Sequence, residues 1–385
     1  MISPHSASGW QPSSPSYAGW VRNAIAMARG RGGQAISLFE SSIPEPRDLL
    51  RQAVLDTVEP EFSANYVSAF GDGNPVMRGM VAQNYGVDLP QVLCTAGATS
   101  GLSLIYRTFL SAGDHVLVET PGFDVFSTLA QVQGARVDTF QRRGERFAID
   151  VAEVAARLRP NTRLVVLSDL HNPSGMLLDR ATMTDLAALA QDRGFLLVVD
   201  EVYGDYADKD RRPLPACALS PNVISLSGLT KIYGLGVLRC GWIVGALPVM
   251  ERLRAVNSRA EFAVSTLSHA VGTQVMARAD QFDAHTRAEV ARCRPRFAAW
   301  YDRMVAQGLL AGALPDEGCI CFPAVPGVGD THAFSQWLIA RSSTIVAPGA
   351  FFGAPGHIRI GFCLGEAHVE AGLAALEDGL RSYPG

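Results

Sequence analysis

Lysine is almost absent from this chain. Of its 33 basic residues two are lysines, Lys209 and Lys231, and the other 31 are arginines. Lys209 stands in the charged stretch DYADKDRRP, where either cation would serve; Lys231 stands in SLSGLTKIYGLGVLRCGW, among Gly, Leu, Tyr, Val and Thr. Arginine is a permanent cation, whereas a lysine amine can lose its proton and attack a carbonyl. A lysine kept where this composition otherwise supplies arginine points to amine chemistry rather than to charge alone. The alternative, a solvated loop lysine, is opposed by the same scarcity. Arg239 follows eight residues later, with Gly234 and Gly236 between them, and glycines let backbone approach a ligand closely.

Three further stretches offer ligand-binding groups. In TAGATSGLSLIY a strand ends, a glycine turns the chain and a helix starts near Ala98. Free N–H groups at such a start, with the Thr99 hydroxyl, make a phosphate cradle; read alone, the stretch is an ordinary β–α turn with a capping threonine. In DLHNPSG the spacing of Pro and Gly predicts a type I turn headed by Asn172, whose amide is either a turn group or a donor to a ligand oxygen. His171 beside it reads as a satisfied core or rim histidine. In GFLLVVDEVYGDY an apolar run leads into Asp200, Glu201 and Tyr203. A carboxylate at the tip of a buried strand is costly without a cationic partner, unless it caps the next segment. Together these stretches offer a phosphate cradle, a basic residue for the phosphate, a carboxylate for a ring nitrogen, donors for a phenolate oxygen and a lysine for an aldehyde. That is the inventory of pyridoxal 5′-phosphate.

The elements that must position these groups are legible too. The chain has 385 residues, 48% of them hydrophobic and 18% charged, enough for a large core and two domains. The net charge of −4 and the pI of about 6.1 leave no basic footprint for nucleic acid. No window approaches a membrane span, and the polar start MISPHSASGWQPSSPSY lacks the pattern of a signal peptide. A cytoplasmic protein is expected. Seven scattered cysteines without a C-x-x-C, and no His or Cys at ligand spacing, give no metal site. From about residue 92, VLCTAG, HVLVET, RLVVLSD, FLLVVDE, NVISLSG and CGWIVG read as buried strands. They alternate with helical stretches closed by Gly or Pro, which predicts an α/β domain with a mostly parallel sheet. From about 286 longer helices, the strands GCICFPAV and HIRIGFC and a closing helix predict a second, α+β domain. The expected division is a segment 1–45 packing with the small domain, a large cofactor domain 46–285 and a small domain 286–385.

In this order the motifs NYVSAFGDGNPVMRGMVAQNYGV, TAGATSG, GDHVLVETPGFDVF, HNPSG, DEVY, the lysine stretch and HIRIGF resemble the fold type I pyridoxal-phosphate enzymes, specifically the class I/II aminotransferases. The resemblance runs from about Ser37 to Phe362. It implies a large α/β/α domain around a mostly parallel seven-stranded sheet, a smaller α+β domain made from both chain ends, and a homodimer with shared active sites. It implies that Lys231 carries the internal aldimine and moves a proton from the substrate Cα, that Asp200 pairs with the pyridinium nitrogen, and that Asn172 and Tyr203 hold the phenolate oxygen. It further implies that Phe123 stacks on the ring, that Ala98, Thr99 and Arg239 hold the phosphate, and that Tyr66 reaches the phosphate of the neighbouring subunit. Arg359, with Asn172 nearby, would clamp the substrate carboxylate; as a strand residue alone it reads equally as a surface arginine. The activity implied is transfer of an amino group between an L-amino acid and a 2-keto acid, in amino acid metabolism.

The sequence departs from the family pattern. The first pair of N-P-x-N-P-x-G is replaced in SDLHNPSG, and the serine usual three residues before the lysine is Gly228, so Ser225, Ser227 or Thr230 is expected to substitute. Val237 stands where a small residue is usual. These departures keep a lyase or a cyclase/synthase using the same deprotonated substrate as the alternative. FESSIPEP and NSRAEFAVSTLSHAVG are expected to shape the substrate pocket, with Arg259 a solvated helix residue or an anchor for an acidic side chain. A DNA-binding regulator with an aminotransferase-like domain lacks a basic recognition helix here, and a nicotinamide dehydrogenase lacks its glycine fingerprint.

Overall fold

The computed structural model describes residues 16–29, 35–58, 72–261 and 264–384. The chain opens with α1 (Tyr17–Arg29), β1 (Ile36–Ser37), α2 (Arg47–Val58) and α3 (Pro75–Tyr85). The central run is β2 (Val92–Thr95), α4 (Ala98–Phe109), β3 (His115–Thr120), α5 (Asp124–Val132), β4 (Arg136–Arg143), β5 (Ala148–Ile149), α6 (Val151–Arg157), β6 (Thr162–Ser168), α7 (Arg180–Arg193), β7 (Leu196–Asp200), β8 (Val223–Gly228), α8 (Leu229–Ile232), β9 (Gly241–Val244), α9 (Leu247–Ala260) and α10 (Thr266–Met276). The chain closes with α11 (Ala279–Ala306), β10 (Ile320–Cys321), α12 (Thr331–Ser342), β11 (Thr344–Ile345), β12 (Ala347–Pro348), β13 (Ile358–Gly361) and α13 (Glu366–Ser382).

Eight strands form the main sheet in the order β2-β9-β8-β7-β6-β3-β4-β5. All run parallel except β9 and β5. Side chains alternate between two cores, as period-two geometry requires. Val116 and Val118 join the core under α4, α5 and α9, while Leu117 between them joins the core under α6 and α7. All six predicted strands are present. The eighth strand beyond the expected seven is the two-residue β5, a short antiparallel addition to β4. Apart from Val137, β4 (RVDTFQRR) carries few apolar residues and is only partly buried, which hid it from a search for buried runs.

A further core joins both ends of the described chain. β1 pairs in parallel with β11, placing Ile36 beside Thr344, and α1 packs on α12. β13 is the centre of a small antiparallel sheet between β10 and β12. The 28-residue α11 bridges this core and the one beneath the Lys231 segment: Phe282 packs in the latter, and Phe297, Trp300 and Tyr301 pack in the terminal core. The expected boundary at 285 therefore falls inside a continuous helix. The consequence for the site is simple. The C-terminal tips of β2, β3, β6, β7 and β8 open on one edge, and β13 with the opening segment closes over it.

Candidate active site

At one end of this edge the backbone is shaped for an anion. Gly97 ends β2 with φ 84°, and a Cβ there would sit 2.5 Å from an Arg239 guanidinium nitrogen. Gly241 on β9 is as tightly placed, since its Cβ would lie 2.8 Å from the Ala98 nitrogen. Gly97 caps α4 without a side-chain bond to the helix, so the first N–H groups, at Ala98 and Thr99, have no capping acceptor. Arg239, in a left-handed conformation with φ 51°, reaches toward the Ala96 carbonyl at 3.4 Å and is exposed. Thr230 is half-buried, one residue before Lys231. Ser225 and Ser227 point elsewhere: the Ser225 hydroxyl accepts from the Cys217 N–H at 3.0 Å, and the Ser227 hydroxyl donates to the Glu201 carbonyl at 3.4 Å. Tyr66 lies outside the described residues.

The middle of the edge holds the ring-binding candidates. Asp200 ends β7, and its carboxylate accepts the Val202 N–H at 3.2 Å. Burial, aided by Glu119 and Glu201 nearby, pushes its pKa up to about 7, against the pull of Lys231. Tyr203 is 1% exposed, its hydroxyl makes no hydrogen bond of normal geometry, and burial raises its pKa. Phe123 precedes α5, edge-on to Phe126 with centroids 5.9 Å apart. Asn172 is buried; its carbonyl oxygen accepts from Arg359 at 2.8 Å, which turns the amide NH₂ away from that arginine. The loop carrying Asn172 is held from below. The buried Glu119–Arg142 pair fixes Ser168, whose hydroxyl accepts the Asn172 N–H at 2.9 Å. Asp169 and Leu170, which replace the first asparagine–proline pair, lie between Ser168 and Asn172. His171 is the satisfied core histidine expected, bonded to Ser174 at 2.7 Å and to the Pro121 carbonyl at 2.8 Å. Glu201, beside Asp200, is turned away into an ion pair with Arg212 and accepts the Ala216 N–H at 2.7 Å.

Lys231 lies in α8, the single turn that follows β8. Its Nζ donates to the Ser41 hydroxyl at 2.9 Å and lies 5.9 Å from the Tyr203 ring centroid. Burial and then Arg359 lower its pKa to about 8, while Glu40, Cys319 and Asp200 pull the other way. A substantial neutral fraction thus exists near pH 8, which arginine never offers. Arg359 on β13 is 2% exposed. It donates to the Tyr17 hydroxyl at 2.5 Å and to the Phe39 carbonyl at 3.0 Å, and it stacks on the Tyr17 and Phe352 rings. Among the described residues it has no carboxylate partner, and its Nε is buried without an acceptor. A buried guanidinium with neutral neighbours is a receptor for an anion. Arg259 is exposed on α9. Ser41 and Tyr17 are the residues that motif reading did not single out. FESSIPEP contains Ser41, but nothing local in it marks the serine, and Tyr17 carries no motif.

A lysine of lowered pKa, a strand-tip carboxylate, a glycine-lined cradle and a buried arginine on the edge of an α/β/α sheet are the features of a pyridoxal-phosphate enzyme of fold type I. The model of the family "aminotransferase class I and II" matches residues 51–376, and the chain belongs to that family. Capreomycidine synthase of Streptomyces vinaceus is 31% identical over 295 residues, covering 76% of this chain and 75% of that protein. Arginine–pyruvate transaminase of Pseudomonas aeruginosa is 28% identical over 368 residues, 90% and 91% of the two chains. Among solved structures, a PLP-dependent aminotransferase from Streptococcus suis superposes with a TM-score of 0.86 at 21% identity, over 97% of this chain and 99% of the other. Aspartate aminotransferase from Thermus thermophilus with maleate gives 0.85 at 20% identity, over 96% and 97%. The protein is an aminotransferase-type enzyme that uses pyridoxal 5′-phosphate. The residues present fit that cofactor: the cradle at Gly97 excludes a side chain, and the buried Tyr203 hydroxyl makes no hydrogen bond of normal geometry.

Proposed function

We propose that this chain transfers an amino group from an L-amino acid to a 2-keto acid through Lys231, and that one observation carries the reading. The only lysine outside a charged surface loop is the half-buried one whose amine lies 5.9 Å from the Tyr203 ring and is acted on by Asp200 and by the buried Arg359. Bound pyridoxal phosphate supplies an aldehyde and an electron-withdrawing ring. Lys231 would be the group that bonds to it and, as a free amine, the base that takes the substrate Cα proton. Asp200 keeps the ring nitrogen protonated. Asn172 and Tyr203 would hold the ring oxygen, and Phe123 would pack against the ring. The Ala98 and Thr99 N–H groups and Arg239 hold the phosphate, with Thr230 the remaining candidate hydroxyl on the lysine turn. Arg359 binds the substrate carboxylate and thereby orients the Cα–H bond.

Two features support a homodimer with shared sites and a cytoplasmic location. Val54, Leu55 and Val58 on α2, Val76 on α3, Leu267 on α10 and Val237 beside Arg239 are between 40% and 68% exposed, and their elements all pack on α10. A second copy seated there would reach the phosphate end of the site, the role expected of Tyr66. All seven cysteines are free, as a reducing compartment allows.

The lyase or cyclase/synthase alternative is kept as a second reading, since one relative at 31% identity is named a synthase. Borohydride reduction of the cofactor-loaded protein followed by peptide mapping tests the site: label on the Lys231 peptide is expected, and Lys231→Ala and Lys231→Arg both abolish it. Label elsewhere, or none, refutes the assignment. Adding amino acids singly then separates the two reactions. Recovery of pyridoxamine 5′-phosphate and a keto acid supports transamination. A cyclised or eliminated product formed without a keto-acid acceptor supports the second reading. Arginine belongs in that panel because a relative is named for it.

A further inference from the structure

The geometry points to Ser41 as a positioning residue for Lys231: its hydroxyl holds the lysine amine when that amine is not bonded to the cofactor, and keeps it basic enough to take the substrate proton. This inference rests on the assignment of Lys231 above and names a partner for it that no motif supplies.

Three observations carry it. The Lys231 amine donates to the Ser41 hydroxyl at 2.9 Å, across 190 residues of sequence. Ser41 is only 5% exposed, and its hydroxyl also interacts with the phenol of Tyr203. Third, the backbone around Ser41 is clamped from two sides at positions that only glycine can fill. A Cβ on Gly361 of β13 would lie 1.7 Å from the Glu40 carbonyl oxygen, and one on Gly234, in the loop after Lys231, would lie 2.5 Å from the Ile43 carbonyl oxygen. The Gly361 N–H also donates to the Leu38 carbonyl at 2.7 Å. The serine is therefore mounted on the same two elements that carry Arg359 and Lys231. A hydroxyl held so closely is preorganised, unlike a surface side chain that happens to be within reach.

The chemistry follows from the charge on the amine. Lys231 is faced by Arg359 from β13, Glu40 from the opening segment, Cys319 from the loop before β10, Asp200 from β7 and the Tyr203 ring beyond it. Burial and Arg359 oppose its protonation. A hydrogen bond from an ammonium to a hydroxyl oxygen is stronger than one from a neutral amine. Ser41 thus favours the protonated form and offsets part of the burial. Without it the amine is a weaker base, and it loses the contact that fixes its direction.

The scarcity of lysine makes the test clean, because exposed Lys209 is the other lysine in the chain and serves as an internal reference. Cofactor-free protein is treated with trinitrobenzenesulfonate across a pH series, and the two lysine peptides are quantified. Ser41→Ala is expected to lower the Lys231 midpoint by about half to one pH unit, with Lys209 unchanged and the melting temperature within a few degrees of wild type. Ser41→Thr, which keeps the hydroxyl, restores the midpoint. With cofactor and substrate, Ser41→Ala is expected to lower kcat about tenfold with KM nearly constant, and to enlarge the isotope effect of a Cα-deuterated substrate. Should the alanine variant not fold, near-isosteric Ser41→Cys, a poor acceptor, gives the same downward shift. A Lys231 midpoint and isotope effect unmoved in Ser41→Ala or Ser41→Cys overturn this inference alone. A Lys231 that takes no borohydride label in the wild type overturns the site assignment instead.

Discussion

Arg359 carries a full charge where the described residues offer it only neutral oxygens and aromatic faces. A substrate carboxylate would complete it, and the planar fork matches a carboxylate in a way a lysine ammonium does not. Arg359→Lys is expected to raise KM for amino acid and keto acid and to lower kcat/KM by about 100-fold or more, with the Lys231 label intact; steady-state kinetics on both half-reactions check it. Asp200 makes a second prediction, in the cofactor-free protein. Its folded pKa of about 7 lies above its ordinary 3.8. The folded state then binds more protons than the unfolded one between those values, so this group costs stability above pH 7, and the cost fades as pH falls toward 4. Asp200→Asn should raise the melting temperature of the cofactor-free protein at pH 8 by a few degrees, with little effect at pH 4. In the cofactor-loaded protein, the role proposed for Asp200 at the ring nitrogen predicts lower retention of the cofactor. Calorimetry at the two pH values and dialysis measure both.

Elements decide where these groups meet. The phosphate end depends on β2 and β9 approaching α4 so closely that Gly97 and Gly241 admit no side chain. Gly97→Ala places a methyl against Arg239 in a backbone conformation with φ 84° that alanine resists, and is expected to cost about 1–3 kcal/mol and to release the cofactor during dialysis. Gly361→Ala should have a different signature. It pushes the opening segment off β13, so Arg359 and Ser41 both lose register: the phosphate end still holds cofactor while substrate turnover falls. The central strands were legible because each is an apolar run bounded by a turn. β4 was not, because its stability comes from pairing with β3 rather than from its own composition. The main-sheet turns carrying Ala98, Asn172, Asp200 and Lys231 were readable for a local reason: glycine, proline and the strand-end carboxylate are encoded within a few residues of one another.

At the scale of the molecule, α11 ties the two cores together, so the site sits between bodies joined by a continuous helix rather than by a loose linker. The exposed apolar residues around α10 give the oligomer prediction. Val237→Asp combined with Leu55→Asp should shift the protein toward monomer in sedimentation velocity and lower cofactor affinity with it; a dimer that persists at wild-type strength would remove this face from the proposal. By itself the sequence determined the class of chemistry and the main sheet. Residue type sets what a side chain can do, and the period of apolar residues sets which segments are buried between helices. Only the tertiary structure decided that Arg359 is buried rather than exposed, that Ser225 and Ser227 turn away from the cradle, and that Ser41 and Tyr17 reach Lys231 and Arg359. Those contacts join residues 190 and 342 positions apart. They arise where separate elements pack on one another, and no local pattern of residues records which distant backbone will arrive there.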